Sequence, residues 1–348
     1  MNQNLIIGMP AGSLADSNRG GNLVKLLECA GFKTSGYDSG GPSKFNLYAS
    51  LYGWDGRPQE FATQLGIDEI DVAIAGDDWM RERILELKYE YHTDLNLEKV
   101  LSLKRGGVRI VGIIPENHPA SDTISFLCAL AEKKEHITVV SEMPYLALDW
   151  MKTRIAQAAL QDKFSQFSVQ KYKSPPKHKA GVTIYETWGK TEAKVKNGGA
   201  DIGMEITQSG SAIRSYGLKI IDTVLESETG IYINTSVREN TAKTELLRMF
   251  LINLYGAVNA ENKVMIIFNV PNRFTGSIEK YLSDNNLFAD EPTVSRGKEF
   301  TEYSIQVDIS GRKAPLARIR YDLAMLKAKN INTIPIDSSI PGAEVISI

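Results

Sequence analysis

Residues 188–229 read WGKTEAKVKNGGADIGMEITQSGSAIRSYGLKIIDTVLESET. The centre of this stretch, Gly199 to Ile213, has the pattern of a short strand, a turn and a helix start. A turn of Ser209, Gly210 and Ser211 leaves successive backbone N–H groups free to point at one anion. A helix that follows adds its own unpaired N–H groups and a positive dipole end. The pattern predicts an anion cradle without a P-loop lysine, formed by Thr207, Ser209, Gly210, Ser211 and the backbone of Ala212 and Ile213. Asp201 and Glu205, just upstream, suit sugar hydroxyls or a magnesium ion. The plainer reading, a strand–turn–helix corner capped by Ser209 or Ser211, has equal weight on spacing alone, because Gly/Ser turns are common.

Outward from this stretch, strand and helix signals alternate. Apolar strands are expected at Leu5–Pro10, Asp71–Ala75, Val108–Pro115, Ile137–Ser141, Val182–Tyr185 and Ala200–Glu205. Helices are expected at Asn22–Ala30, from about Asp78, and from about Tyr145 to Leu160. That order implies mainly parallel sheets with helices on both faces. The chain is expected to leave a first α/β lobe near residue 112, build a second, and return near 220. Lobe I is then 1–112 with 220–262, and lobe II is 113–219. Ligands of open parallel sheets bind beyond the carboxyl ends of the strands, where the candidate loops can converge. After the helix Lys243–Ala260, residues 263–348 carry a βαββαβ order, which gives a ferredoxin-like sandwich.

Composition bounds the rest. At 348 residues, two or three domains are expected. The chain is 43% hydrophobic and 24% charged, the profile of a soluble globular protein. A net charge of -2 gives no electrostatic case for nucleic acid. No apolar run is long enough for a membrane span, and MNQNLIIGMP lacks the basic and apolar regions of a signal peptide. Cys29 and Cys128 lie in apolar helical patterns and are expected in the core of a cytoplasmic protein. The histidines His92, His118, His136 and His178 are scattered, so zinc is not expected. Trp54, Trp79, Trp150 and Trp188 are expected to pack rather than to stack on bases.

The stretch at 188–229 resembles the ATP phosphoribosyltransferase family, whose variant phosphoribosyl pyrophosphate loop reads roughly WGATEAK…DAIVEITETGSSLRANGLKIIDTVLES. The departures are Gln208 (usually Glu), Ser209 (usually Thr), Ala212 (often Ser or Thr) and Tyr216 (usually Asn). Met9-Pro10-Ala11-Gly12-Ser13-Leu14 resembles the family's P-K-G-R-L turn but has Ala11 where the lysine stands. Arg19, Lys44 or Arg57 could replace that charge. Arg57-Pro58-Gln59-Glu60 resembles R-P-Q-D, and Asp71 to Trp79 resembles D-x-G-I-x-G-x-D-W, which contains Asp78. Glu142 to Leu146 resembles E-Y-P-N-L, with Tyr145 in the place usually held by Asn or His. Gly189 and Glu192 lie in the W-G-x-T-E motif, and Arg109 sits in a matching strand.

The resemblance implies a two-lobed, periplasmic-binding-protein-like catalytic region with an ACT-like C-terminal regulatory domain. It implies transfer of phosphoribosyl from 5-phosphoribosyl 1-pyrophosphate to N1 of ATP, with Mg²⁺, in a homo-oligomer (a hexamer) inhibited by histidine. On this expectation the turn at 207–213, with Asp201 and Glu205, binds the phosphoribosyl group. Gly12, Ser13, Arg57, Asp78, Arg109, Tyr145, Gly189 and Glu192 lie on the nucleotide or pyrophosphate side. Protein ligands of the metal stay unassigned. Two other readings remain open: a diverged or regulatory paralogue, and a non-catalytic two-lobed binding protein.

Overall fold

The computed structural model describes residues 4–12, 14–15, 21–34, 37, 45–287, 293–310 and 315–348. Chain order begins with β1 (Leu5–Pro10), α1 (Leu23–Cys29), β2 (Phe45–Tyr48), β3 (Leu51–Gly56), α2 (Pro58–Gly66), β4 (Val72–Gly76), α3 (Asp77–Tyr91) and β5 (Leu97–Ser102). It continues with β6 (Val108–Pro115), α4 (Thr123–Ala131), β7 (His136–Ser141), α5 (Pro144–Gln157), β8 (Phe167–Lys171), β9 (Gly181–Glu186), α6 (Thr191–Lys196), β10 (Ile202–Thr207), α7 (Ser211–Ser215) and β11 (Leu218–Ser227). Then come β12 (Thr229–Asn234) and α8 (Thr241–Ala260). The last elements are β13 (Lys263–Pro271), α9 (Thr275–Asp284), β14 (Thr293–Arg296), β15 (Phe300–Asp308), α10 (Leu316–Met325) and β16 (Lys329–Pro335).

The described residues fall into two compact units, divided at Lys25/Leu26, Phe32/Lys33, Leu247/Arg248 and Ser347/Ile348. The first unit holds two six-stranded sheets, ordered β2-β3-β1-β4-β12-β5 and β11-β6-β10-β7-β9-β8. The core strands are the apolar runs: Val72, Ala73, Ile74 and Ala75 are all fully buried, as are Ile110, Val111, Ile113 and Ile114. Runs this uniformly apolar suit strands covered on both faces. The second unit holds a four-stranded antiparallel sheet, β14-β15-β13-β16, the strand order of a ferredoxin-like sandwich. Phe268 and Tyr303 stack at its centre, with ring centroids 5.4 Å apart.

 The same unit holds a second ring pair, Phe32 and Phe250, at 5.2 Å and tilted by 49°.

Three expectations change. The sheets are mixed: β12 runs antiparallel to β4 and β5 in one, and β6 runs antiparallel to β10 and β11 in the other. The lobe limits expected at 112/113 and 219/220 fall inside β6 and β11, which pair from Leu218↔Pro115 to Ser227↔Val108. Sheet membership therefore puts the changeovers at 103–107 and at Glu228. These two straps bond to each other: Leu103 N–H donates to the Thr229 carbonyl (2.9 Å) and Thr229 N–H to that of Arg105 (2.8 Å). Finally, Cys128 is exposed, because α4 buries Thr123, Phe126, Leu127 and Leu130 and turns residue 128 outward. Cys29 is half-buried.

Candidate functional site

A cleft of about 750 Å³ lies where the loops after β1, β3 and β4 meet the straps and the end of β10. Gly12, Arg57, Asp78, Gln208 and Ser227 all line it. This is the position that open α/β sheets reserve for ligands. Arg57 precedes α2 and is exposed at the rim. Asp78 is in the first turn of α3 and is buried. Its N–H donates to Ser227 Oγ (3.0 Å), and its Oδ1 accepts the N–H of Trp79 (2.9 Å). Burial raises the Asp78 carboxyl above the ordinary range, against the lowering effect of those bonds. Gly76 makes the arrangement possible, since a Cβ there would lie 2.3 Å from Asp78 Oδ1. Arg109 lies across from Thr207 on β10 and Glu226 on β11, in an adjoining cavity of about 490 Å³ that shares Gln208 and Ser227 with the cleft. Ser13, Arg19 and Lys44 lie outside the described residues.

The turn at 207–211 forms where it was expected. Gly210 has φ +72°, a left-handed conformation that favours glycine. Its N–H donates to Thr207 Oγ1 (2.9 Å), and the Ser211 N–H donates to Ser209 Oγ (3.3 Å). Two of the turn's amides are thus already bonded to its own hydroxyls. Ser209, Ser211 and Ala212 are exposed, while Ile213 is buried beneath them. With five residues, α7 adds little dipole.

Asp201 does not join this turn. It precedes β10, and its carboxylate accepts the N–H and O–H of Thr138 (both 2.9 Å) and pairs with Lys134. The strand Ile202–Thr207 carries the chain from it to the start of the turn, about 20 Å at the usual rise. Its role is to tie the start of β10 to β7.

Glu205 has a different neighbourhood. Burial pushes its carboxyl up to about 7, and the charges of Glu192 and Glu142 add to the effect. Gly189 belongs to the same group, with Glu142 Oε1 3.3 Å from where its Cβ would be. A proton is therefore held in the folded state up to about pH 7. The stability from this shift is complete below the ordinary glutamate pKa and is lost as pH rises through 7. Glu192→Gln is expected to move the Glu205 midpoint down from about 7, as read by carboxyl carbon NMR. An unmoved midpoint would leave burial and the charge of Glu142 as its causes. Tyr145 lies apart, in a cavity of about 600 Å³ with Glu142, Glu82 and Trp79. Burial, with Glu90 and Glu86, raises its phenol.

The sequence reading missed Asp55. This β3 residue lines the cleft, and its Oδ1 is enclosed with no hydrogen-bond partner among the described residues. Its one signal is an acid in the turn-like Trp54-Asp55-Gly56 before Arg57. Trp188, expected to pack, is 88% exposed beside the left-handed Gly189 and Lys190.

A family model described as ATP phosphoribosyltransferase (HisG) matches residues 57–254. The ATP phosphoribosyltransferase of Pelodictyon phaeoclathratiforme is 28% identical over 319 residues, covering 89% of this chain and 89% of that one. The corresponding protein of Chlorobium chlorochromatii is 30% identical over 291 residues, covering 81% of this chain and 80% of the relative. Among solved structures, the ATP phosphoribosyl transferase (HisG:HisZ) complex from Thermotoga maritima is similar at TM-score 0.49 and 17% identity, covering 72% of this chain and 95% of that one.

Proposed function

From the premise that this chain belongs to the ATP phosphoribosyltransferase family, we propose that the cleft between its lobes is where the transfer takes place. The protein is a phosphoribosyltransferase enzyme. In the reaction, N1 of the ATP adenine attacks C1 of 5-phosphoribosyl 1-pyrophosphate. The C1–O bond breaks and pyrophosphate leaves with its electron pair. The leaving group is already activated, so no protein nucleophile is required. The protein's part is to hold two reactants in line and to stabilise the charge that develops.

The observation that carries this assignment is the convergence of Gly12, Arg57 and Asp78 from one lobe with Gln208 at the end of β10 from the other. The turn at Thr207–Ser211 then receives the 5-phosphate, with Ala212 and Ile213 contributing backbone. Glu205 and Glu192 face sugar or nucleotide hydroxyls. Arg57 and Arg109 supply positive charge to the phosphates, which the family's lysine at position 11 does not.

Enzymes of this family use a metal ion, and we assign Mg²⁺. The cleft fits it: Asp55 Oδ1 is enclosed and unpartnered among the described residues, and Asp78 lines the same space. Oxygen donors are what Mg²⁺ prefers. Among the described residues no three metal-binding side chains cluster, so phosphates and water would supply most ligands. When bound, the ion neutralises charge on the departing pyrophosphate. The four-stranded sandwich supports a regulatory, ACT-like role for residues 263–348, with histidine as inhibitor and a homo-oligomer, a hexamer, as the working form. Among the described residues, no helix is long and apolar enough to cross a membrane.

The test is an absorbance assay with ATP, 5-phosphoribosyl 1-pyrophosphate, Mg²⁺ and pyrophosphatase, with and without histidine. Product that histidine suppresses is the expected result. Product without suppression would remove the regulatory reading alone. Binding of 5-phosphoribosyl 1-pyrophosphate without product would favour a paralogue with another acceptor, as the missing lysine at Ala11 would suggest.

A further inference from the structure

Glu82 is a deeply enclosed carboxylate that the reaction above does not use. It lies in mid-α3, within Met80-Arg81-Glu82-Arg83, and is 6% exposed. Both of its oxygens reach from the first lobe to the second. Oε1 accepts the N–H of Tyr145 (3.0 Å), and Oε2 accepts that of Leu146 (2.7 Å). These amides open α5, and a helix leaves its first N–H groups without internal partners. Met143, at the cap position, provides no side-chain bond, and Pro144 has no N–H to give. The cap of this helix thus comes from the other lobe, through two hydrogen bonds. The seam continues along both helices: the Tyr89 hydroxyl donates to Asp149 (2.7 Å), and Arg81 pairs with Asp149 (3.6 Å). At its start, α3 carries Asp78 into the cleft, and α5 follows directly on Glu142.

We propose that Glu82 is a latch that fixes the two lobes against each other across the cleft, a positioning residue that touches no substrate. Its effect on catalysis rests on the transferase reading; the latch itself does not. The titratable groups that line the same cavity are Arg83 and Glu86 on α3, Glu60 on α2, Lys171 on β8, Glu186 on β9, Glu142 before α5 and Tyr145 in its first turn. Arg83 is held by Glu86, and Lys171 by Glu186. Burial pushes the Glu82 carboxyl up to about 7, against its two N–H bonds, with Glu86 and Glu186 adding to the rise. Parting the lobes would return it to water and to the ordinary glutamate range. The latched state therefore holds the proton more tightly, and latching weakens as pH rises through 7.

The test is amide hydrogen exchange on the full chain, with kinetics alongside. In Glu82→Gln, exchange at Tyr145 and Leu146 should rise at least about tenfold, since the amide side chain can accept only one of the two bonds. The KM values for both substrates should rise by a common factor with kcat within about twofold, because a smaller latched fraction weakens binding that saturation restores. Glu86→Gln keeps the latch but removes a neighbouring charge, so the pH at which those amides loosen should move. Unchanged exchange at Tyr145 and Leu146, or a loss of protection spread evenly over the chain, would overturn the latch. Absence of transferase activity in the unsubstituted protein would overturn the proposed function and leave the exchange result to decide the latch.

Discussion

Gly210→Val is expected to abolish measurable binding of 5-phosphoribosyl 1-pyrophosphate while leaving the protein folded. Gly210 has φ +72°, where a residue with a Cβ is strained by about 1–2 kcal/mol and a β-branched one by more. Space is also short. The new Cβ would lie 3.1 Å from Arg214 Nη1 and 3.3 Å from Ile220 Cδ1. Arg214 is exposed and can move, but Ile220 is held in β11 against β6. The turn must therefore change shape, which breaks the Gly210 N–H bond to Thr207 and redirects the amides of Ser211 and Ala212. Misplacing two or three phosphate contacts costs about 3 kcal/mol or more, a loss of at least about 100-fold in affinity. Calorimetric titration, with circular dichroism as the control for folding, checks it. Gly210→Ala should fall between the two, since alanine meets the backbone strain without the second branch. Unchanged affinity in the valine variant would remove the cradle from this turn.

The turn at 207–211 was legible because its chemistry is local. Ser-Gly-Ser after an apolar run specifies both the bend and the hydroxyls. The strands β1 and β4 were legible for a related reason: each is an uninterrupted apolar run, and β7 and β9 carry apolar runs broken in mid-strand by Thr138 and Thr183. The strands β5 and β12 were not. Leu97–Ser102 alternates with charge, and β12 pairs with it from more than a hundred residues away. Asp201 was misread because sequence proximity to Gly210 conceals a strand's length. Glu82 was invisible because an acid between two arginines reads as a solvated helix face; its burial depends on α5 docking from the other lobe. Asp55 carries no pattern of its own, and only the meeting of β3 with the loop after β1 makes it a cleft residue.

Asp222→Ala is expected to destabilise the second lobe strongly. The residue lies on β11 and gathers four donors: Arg154 Nε (2.7 Å) and Nη2 (2.9 Å), Trp150 Nε1 (2.9 Å) and Thr123 Oγ1 (3.1 Å). Trp150 and Arg154 are one helical turn apart on α5, and Thr123 opens α4, so one carboxylate holds two helices on the sheet. Trp150 also packs over Gly112, where a Cβ would lie 2.6 Å from its ring. Burial pushes the Asp222 carboxyl up, but Arg154, Trp150 and Thr123 outweigh it and hold the group below the usual carboxylate range. Removing it leaves a largely enclosed guanidinium and an indole N–H without their acceptor, at a cost of about 3–5 kcal/mol. At about 2–4 °C per kcal/mol, thermal unfolding should shift down by roughly 6–20 °C. Because the folded value is depressed, this stability is present above the unfolded aspartate pKa and is lost as pH falls through the folded one. The gap between the variant and the unsubstituted protein should therefore be full at pH 7 and narrow under acid. A loss below about 1 kcal/mol at pH 7 would mean that α5 is held by its apolar face alone.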